Sequence, residues 1–369
     1  MIELGLQGSQ GTGFAVPHTD VGRSRHLRRG ASMNSRRVQN TTERASSTEI
    51  PPVRPAAKAK AECGYKRSKD GKQSFEKAKA VELDPRMPCA EAFRLISGSC
   101  LRQIIANQPG MLTGHAESLH QFRIGLRRLR TAIKAFVEMT ADPQREAIKA
   151  ELKWVMKQVG PARDLDVFGA DVLEPLEQGN DRHLAAARRS YNKMREHAYE
   201  TMRSSIRSGR FRKISRDLAE WIEAGHWTTD PALKEIRERK ITEHAAEVLG
   251  FWRTRFRKEC RKLDDLSPKQ RHSLRMRAKD SRYASEFFVS LFPRHVKRRK
   301  AALAALENLQ DALGALNDLT ARKDIMPKEI NQSAHARRVI TAQESEAGQL
   351  LEEANAACAK FGTVKAFWK

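Results

Sequence analysis

The sequence predicts an all-α protein, and three observations support that fold class. From about residue 83 onward, apolar residues recur three or four positions apart, which is the period of a helix with one buried face. The stretches with this period are separated by Gly and Pro pairs and by residues that favour helix N-caps. No stretch alternates apolar and polar residues between hairpin turns, the pattern expected of β-strands.

The first half of the helical region predicts six helices, most of them bounded by a start or stop signal. Pro109 ends the first, and the second carries the sequence LHQFRIGLRRLRTAIKAFV. Asp142 followed by Pro143 is an N-cap with proline at the first helical position, and Pro161 ends that helix. The predicted helices span residues 89–107, 119–137, 142–159, 164–173, 182–206 and 210–224.

The second half opens with a similar signal, Asp230 followed by Pro231. Ser267 and Gln270 then form a capping box with Pro268 in the first turn, so the helix that follows has a well-defined start. The predicted helices span residues 230–263, 267–292, 296–313, 317–323 and 333–360.

A line of basic residues marks the second predicted helix. The first basic line consists of His120, Arg123, Arg127, Arg130 and Lys134, spaced alternately three and four apart. At about 100° per residue these residues lie within an arc of roughly 80°, beside the apolar stripe, and extend over roughly 21 Å. Like charges at these spacings repel, and no acidic residue separates them on that face. A run of charges is usually a solvated helix face. Because nothing on this helix offsets the repulsion between its cations, we instead predict a binding site for a long anion, which would neutralise them.

The line recurs about 150 residues later. The second basic line consists of His272, Arg275, Lys279 and Arg282, at the spacing of the first four residues of the first line. VGPARDLDVF lies downstream of the first line, and LGALNDLTA lies downstream of the second at nearly the same distance. The shared pattern predicts an internal duplication in which each copy contains several helices. The predicted repeats are residues 81–228 and 229–369.

These paired motifs resemble those of the CHAD domain family. HQFRIGLRRLRTAIKAF with GPARDLDVF, and HSLRMRAKDSRYASEFF with LQDALGALNDL, carry the resemblance, which extends from about residue 83 to the C-terminus. It implies two pseudo-symmetric helical bundles around a basic central cavity. It also implies binding of inorganic polyphosphate without catalysis, and a location on polyphosphate granules in the cytoplasm. Family likeness adds Lys153 and Arg163 to the candidate residues. The predicted polyphosphate-binding set is therefore His120, Arg123, Arg127, Arg130, Lys134, Lys153, Arg163, His272, Arg275, Lys279 and Arg282.

Residues 1–80 are predicted to form a disordered basic tail and linker, because they contain few large apolar residues and no sustained apolar period. Residues 22–37 are rich in Arg and Ser and lack acids, which is also typical of an organellar transit peptide, although their poor amphipathic spacing favours a solvated tail. KAKAECGYKR, at 58–67, resembles the end of a CYTH domain, a triphosphate-processing module. The preceding chain is too short for that module's strands, so we expect only a remnant.

The charge balance predicts a polyanionic partner. There are 69 Lys and Arg residues against 45 Asp and Glu, which gives a formal net charge of +24. Proteins that bind single-stranded nucleic acid generally interleave aromatic with basic residues so that bases can stack, and the basic lines lack aromatics. We therefore favour polyphosphate, with a nucleic-acid-associated protein as the alternative.

Differences between the two copies affect how much each is expected to bind. Asp280 and Glu286 stand in the second copy where the first has Arg128 and Lys134. We therefore expect the first copy to dominate binding. Arg128 itself lies off the first basic line and is predicted to point outward.

The sequence offers little for an enzyme or a metal site. Asp164 and Asp318 follow helix breaks, so we expect them to cap helices or to orient an arginine. Metal ligation by His120 with Asp164 is disfavoured by the neighbouring arginines, which repel a cation. No nucleophile or base accompanies the acids at a suitable spacing, so we predict no catalysis, no cofactor and no metal.

Two further features bear on the compartment. No apolar run approaches 18 residues, which predicts no membrane span. The five cysteines are scattered and form no CxxC pair, so we expect reduced thiols in a cytoplasmic protein. Cys100 and Cys358 are predicted to be ordinary core residues. The sequence does not indicate the oligomeric state.

Overall fold

The computed structural model describes residues 75–176, 182–345 and 347–369, and within them the protein is all-α, as predicted. The β-type pairing of these residues is limited to an isolated antiparallel bridge between Pro88 and Lys240. Short 3₁₀ turns and a π-helical turn, Gly169–Leu173, connect or extend the helices. The longer α-helices are α1 (Cys89–Leu112), α2 (Ala116–Ala135), α3 (Pro143–Phe168), α4 (Arg182–Arg207), α5 (Gly209–Ala224), α6 (Lys234–Glu238), α7 (Ile241–Cys260), α8 (Pro268–Phe288), α9 (Val296–Ile325), α10 (Ala334–Ser345) and α11 (Ala347–Thr363).

Most of the predicted tail, residues 1–74, lies outside the described residues. Residues 75–80, which we also predicted to belong to the tail, include a segment that is bonded to α1. The Glu76 N–H donates to Asn107 Oδ1 at 3.0 Å, and Asn107 Nδ2 donates to the Glu76 carbonyl at 2.8 Å. A side chain of α1 thus satisfies the backbone groups of an extended segment. Packing therefore begins before residue 81, and Val81 and Leu83 then enter the core.

Helices α1 and α2 form a closely packed antiparallel pair in the first half of the described chain. Gly125 of α2 allows the two backbones to approach. A Cβ at that position would lie 2.8 Å from Ile104 Cγ1 and 3.4 Å from the Cys100 carbonyl oxygen. Phe93 of α1 and Phe122 of α2 are both fully buried in the resulting core. The close approach fixes the rotation of α2, and hence the direction in which its basic line points.

The predicted start of α3 at Asp142 is confirmed. Its Oδ1 accepts the Arg145 N–H at 2.8 Å, and Pro143 occupies the first helical position. Its Oδ2 accepts from Trp221 Nε1 at 3.0 Å and from the Trp227 N–H at 3.2 Å. One carboxylate thus caps α3 and also ties it to α5 and the turn that follows.

The capping box at the start of α8 is also confirmed. The Ser267 N–H donates to Gln270 Oε1 at 2.8 Å, and the Gln270 N–H donates to Ser267 Oγ at 3.4 Å. α8 packs against α9, which in turn packs against α11. Leu274, Leu309 and Phe361 contribute to the apolar core between these helices.

Two predicted helix ends are wrong, because each helix continues through its proline. Pro109 lies in the last turn of α1, and Pro161 lies inside α3. A proline in a helix interior removes a backbone hydrogen bond. Next to Pro161, however, the carbonyls of Val159 and Gly160 accept hydrogen bonds from Arg123 of α2. The two helices predicted on either side of Pro161 are one helix, which these hydrogen bonds tie to α2. They do not replace the bond that the Lys157 carbonyl loses at Pro161.

Two boundaries in the second half also differ from prediction. α9 is continuous where a break was predicted, since Gly314 by itself does not interrupt it. α7 begins at Ile241 rather than at the predicted cap eleven residues earlier. The chain just before it is extended, and it bonds to the start of α1. The Arg239 carbonyl accepts the Cys89 N–H at 2.9 Å, and the Ile241 N–H donates to the Met87 carbonyl at 3.0 Å.

The prediction that all thiols are reduced is wrong. Cys358 lies in the core, as predicted, but it is not a free thiol. Cys358 of α11 forms a disulfide with Cys260 of α7. The two residues are 98 positions apart, and only the packing of α7 against α11 brings their Cα atoms to 5.6 Å. Cys100 is buried and free, as predicted, and so is Cys89. Cys63 lies outside the described residues.

Candidate functional site

The first basic line lies beside a buried apolar stripe on α2. Phe122, Leu126, Leu129 and Ile133 of that stripe are each at most 2% exposed. Because this stripe is buried, the neighbouring flank of α2, which carries the first basic line, lies at the boundary between core and solvent. His115 starts the helix, because its Nδ1 accepts the Ser118 N–H at 3.2 Å.

The helices that carry the two basic lines, α2 and α8, contact each other. Thr131 Oγ1 donates to Asp280 Oδ1 at 2.8 Å, and Lys134 Nζ lies 2.5 Å from Asp280 Oδ2. The Arg128 guanidinium lies 5.2 Å from the centre of the Phe287 ring. The two lines are therefore carried by neighbouring helices, not by opposite surfaces of the molecule.

His120 lies where cationic groups from α2, α3 and α8 come together. Burial lowers the pKa of its imidazole, and Arg163 of α3 lowers it further. Arg123 and Lys279 lower this pKa as well, whereas Glu117 raises it. Three helices from both halves of the chain thus bring positive charge close to one residue.

Arg127 connects the two basic lines. Burial lowers the pKa of its guanidinium, and the charges of Arg123 on α2 and Arg275 on α8 lower it too, while Tyr283 and Asp280 act in the opposite direction. An arginine stays charged at any physiological pH. The lowered pKa therefore indicates a cation that has lost part of its hydration and lies near other cations.

Arg123 is held in place by α3. Its Nη1 donates to the Gly160 carbonyl at 2.7 Å and to Asp164 Oδ1 at 3.2 Å. Burial lowers the pKa of Arg123 and Asp164 raises it. Asp164 therefore orients an arginine, one of its two predicted roles, but it lies inside α3 and does not cap a helix start. Asp318 likewise lies inside α9, and its side chain is outside the part of the chain that the structure describes.

The cations at one end of the two lines are engaged by carboxylates. Lys134 pairs with Asp280 as described above. Arg282 Nε lies 3.4 Å from Glu286 Oε1, and its Nη1 lies 3.7 Å from Glu307 Oε1. Carboxylates therefore already engage Lys134 and Arg282 at this end of the two lines.

Arg275 lies against α9. A Cβ at Gly314 would come within 3.3 Å of Arg275 Nη2, so a larger residue there would displace the guanidinium. Nothing in the sequence singles out Gly314, because the space that it leaves for Arg275 depends on the packing of α8 on α9. Its place in the motif LGALNDL, which lies about as far from the second basic line as GPARDLDVF does from the first, was the only indication in the sequence.

Arg128 does not point outward, contrary to prediction, and is only 3% exposed. α8 covers this face of α2, and the guanidinium packs on Phe287. Its Nη1 donates to Gln103 Oε1 at 3.2 Å. Gln103 Nε2 donates to Gln121 Oε1 at 3.1 Å, and Gln121 donates to Glu117 at 2.8 Å. The sequence does not indicate this series of hydrogen-bonded side chains, because it forms only when α1 and α2 pair.

The remaining predicted residues lie on the same helices or next to them. Arg130 is partly buried on α2, Lys153 is exposed on α3, and His272 is exposed near the start of α8. Their contact with phosphate stays a prediction, as does the central cavity.

Such an arrangement of cations suits a ligand with many phosphates. Arginine presents a planar fork that bonds two oxygens at once, and charge-assisted hydrogen bonds are stronger than neutral ones. Among the described residues, no group of three or more His, Cys, Asp or Glu side chains is placed to hold a metal ion. In the same part of the chain, none of the helices has the length and apolar character needed to cross a membrane.

Comparison with known proteins agrees with this architecture. A family model described as the CHAD domain matches residues 96–326. The fold is similar to the crystal structure of the CHAD domain from the plant Ricinus communis, with a TM-score of 0.65 and 25% identity, over 80% of this chain and 99% of that one. PptA from Streptomyces chartreusis is less similar, with a TM-score of 0.48 and 16% identity, over 75% of this chain and 99% of that one. No curated protein matches the sequence. Because the family model covers more than half of the 369 residues, the chain belongs to the CHAD domain family, a family associated with polyphosphate binding.

Proposed function

We propose that this protein binds inorganic polyphosphate between α2 and α8 without breaking it down. One observation carries the proposal: the two basic lines lie on helices that contact each other, and cations from both converge. The contact set that this geometry supports is His120, Arg123, Arg127, Arg163, Arg275 and Lys279.

Two further points support polyphosphate as the ligand. The chain belongs to a family associated with polyphosphate binding. The converging groups are cations and one histidine, which suit phosphate oxygens, and the proposed contact set contains no Phe, Tyr or Trp of the kind that base-stacking sites use. Binding of this polymer would also bring the protein to polyphosphate granules.

A binding-only role fits the acids near the site. Asp164 is engaged by Arg123, and Asp280 by Lys134 and Thr131. Both carboxylates therefore already neutralise cations of these helices, which suits a structural role better than proton transfer to or from a substrate.

Titration of the protein with long-chain polyphosphate and with duplex DNA, at equal phosphate concentration, tests the proposal. We expect tight binding of polyphosphate that weakens between about 50 and about 200 mM salt, because cation–phosphate contacts release counterions. DNA should not displace the polyphosphate. Displacement by DNA at equal phosphate would indicate a general polyanion binder, and steady release of orthophosphate would show catalysis.

A further inference from the structure

Two charge interactions between α2 and α8, one of them a direct contact, involve the acidic residues that distinguish the second basic helix from the first. In the first interaction, Lys134 Nζ lies 2.5 Å from Asp280 Oδ2. The Asp280 side chain is only 12% exposed, and its other oxygen accepts from Thr131 Oγ1 at 2.8 Å. This carboxylate is therefore held on both oxygens by residues of α2.

The second interaction acts over a longer distance, between the charges of Arg128 and Glu286. Arg128 is buried against Phe287, the residue next to Glu286. Burial raises the pKa of Glu286, and the charges of Arg282 and Arg128 lower it. The guanidinium of Arg128 is thus close enough to offset part of the cost of burying this carboxylate.

The two interactions join corresponding positions of the two helices, with the charges exchanged. The spacing of the basic lines relates His120 to His272, which makes Lys134 the counterpart of Glu286 and Arg128 the counterpart of Asp280. In the first interaction α2 supplies the lysine and α8 the acid at the position of Arg128. In the second, α2 supplies Arg128 and α8 the acid at the position of Lys134.

The exchange removes a repulsion that identical helices would create. If α8 carried a lysine and an arginine at these positions, a cation of α2 would face a cation of α8 in each interaction, in a partly buried interface. Phe136 and its counterpart Phe288 also contact each other, with ring centres 6.0 Å apart. Counterparts meet in this way when two related elements face each other across an axis.

We propose that Lys134, Asp280, Arg128 and Glu286 are positioning residues that fix α2 against α8, so that cations from both helices meet one phosphate chain. The inference rests on the proposed function, and it removes Lys134 from the residues that contact phosphate. The acids of the second copy then strengthen the site by aligning its two sides, where sequence reasoning expected them only to weaken the second side.

Charge reversal provides the first test. Lys134→Asp places an acid against Asp280, and Asp280→Lys places a lysine against Lys134. Each single change should lower the affinity for polyphosphate by roughly fivefold or more and should lower the unfolding temperature, because pairs in direct contact are strongly coupled. The double variant Lys134→Asp/Asp280→Lys should restore both quantities to near the wild-type values. Losses that simply add in the double variant would overturn the proposal.

Charge removal separates positioning from phosphate contact. Lys134→Met/Asp280→Asn removes both charges but keeps an oxygen that accepts from Thr131. We expect its affinity to stay within about twofold of wild type, whereas Arg127→Gln, the matched loss of one proposed contact, should lose about tenfold. An equal loss in both variants would make Lys134 a phosphate ligand and overturn the assignment. If the wild-type protein does not bind polyphosphate, the proposed function fails, and the unfolding temperatures of the charge-reversal variants still decide whether the pair is coupled.

Discussion

Arg123 and Arg127 show how the protein prepares single residues for an anion. Both guanidinium groups have lost part of their hydration, which lowers the pKa of each. Arg123 regains hydrogen bonds by donating to the Gly160 carbonyl and to Asp164. Arg127 lies near two further cations, Arg123 and Arg275. A phosphate chain would relieve this repulsion, and electrostatic attraction is stronger where water is partly excluded.

We expect His120 to make the affinity for polyphosphate dependent on pH. Burial and the charges of Arg163, Arg123 and Lys279 lower the pKa of its imidazole in the free protein, with Glu117 opposing them. A bound polyanion would raise this pKa, so binding takes up a proton. By linkage, affinity should rise as the pH falls from about 8 toward and below the ordinary histidine pKa of about 6.5. Titrations across this range with wild type and His120→Gln check the expectation. The variant should lose part of the pH dependence, and an identical dependence in both proteins would contradict this role for His120.

At the scale of elements, helix period and capping chemistry predicted much of what positions the site. The period of about 3.6 residues decides which side chains share a face, so the spacing of the first basic line was informative before any partner was known. Caps at Asp142 and Ser267 were equally local, and both predictions are confirmed.

Predictions failed where the outcome depends on a second helix. Arg128 is buried because α8 covers its side of α2, and a single helix gives no sign of that cover. Pro161 stays inside α3, where Arg123 bonds the carbonyls beside it. The disulfide between Cys260 and Cys358 likewise depends on α7 packing against α11.

The approach of α1 to α2 can be tested at Gly125. Gly125→Ala would place a Cβ 2.8 Å from Ile104 Cγ1 and 3.3 Å from the Ile104 backbone nitrogen. We expect this overpacking to lower the free energy of unfolding by about 1–3 kcal/mol, measured by urea denaturation. Gly348→Ala is the matched control, because a Cβ there would have nothing within 4 Å. This variant should be no less stable than wild type. Equal stability of both variants would argue against a close contact between the helices.

At the scale of the whole molecule, the main feature is that two similar helices share one group of cations. The formal net charge of +24 indicates attraction to polyanions in general, but it does not indicate where an anion binds. The contact between α2 and α8 supplies that location. The pair of Lys134 with Asp280 joins the helices toward one end, while His120, Arg163 and Lys279 come together toward the other. A single chain of phosphates that contacts both helices would explain why the basic line occurs twice.

The most direct test neutralises each helix separately and measures the affinity for long-chain polyphosphate. Arg123→Gln/Arg127→Gln removes two charges from α2, and Arg275→Gln/Lys279→Gln removes two from α8. Arg189→Gln/Lys193→Gln, at exposed positions on α4, removes the same charge elsewhere. Each site pair should cost at least about tenfold in affinity, with the larger loss on α2, and the α4 control should change little. An α8 variant that binds as tightly as the α4 control would contradict a ligand held between the two helices.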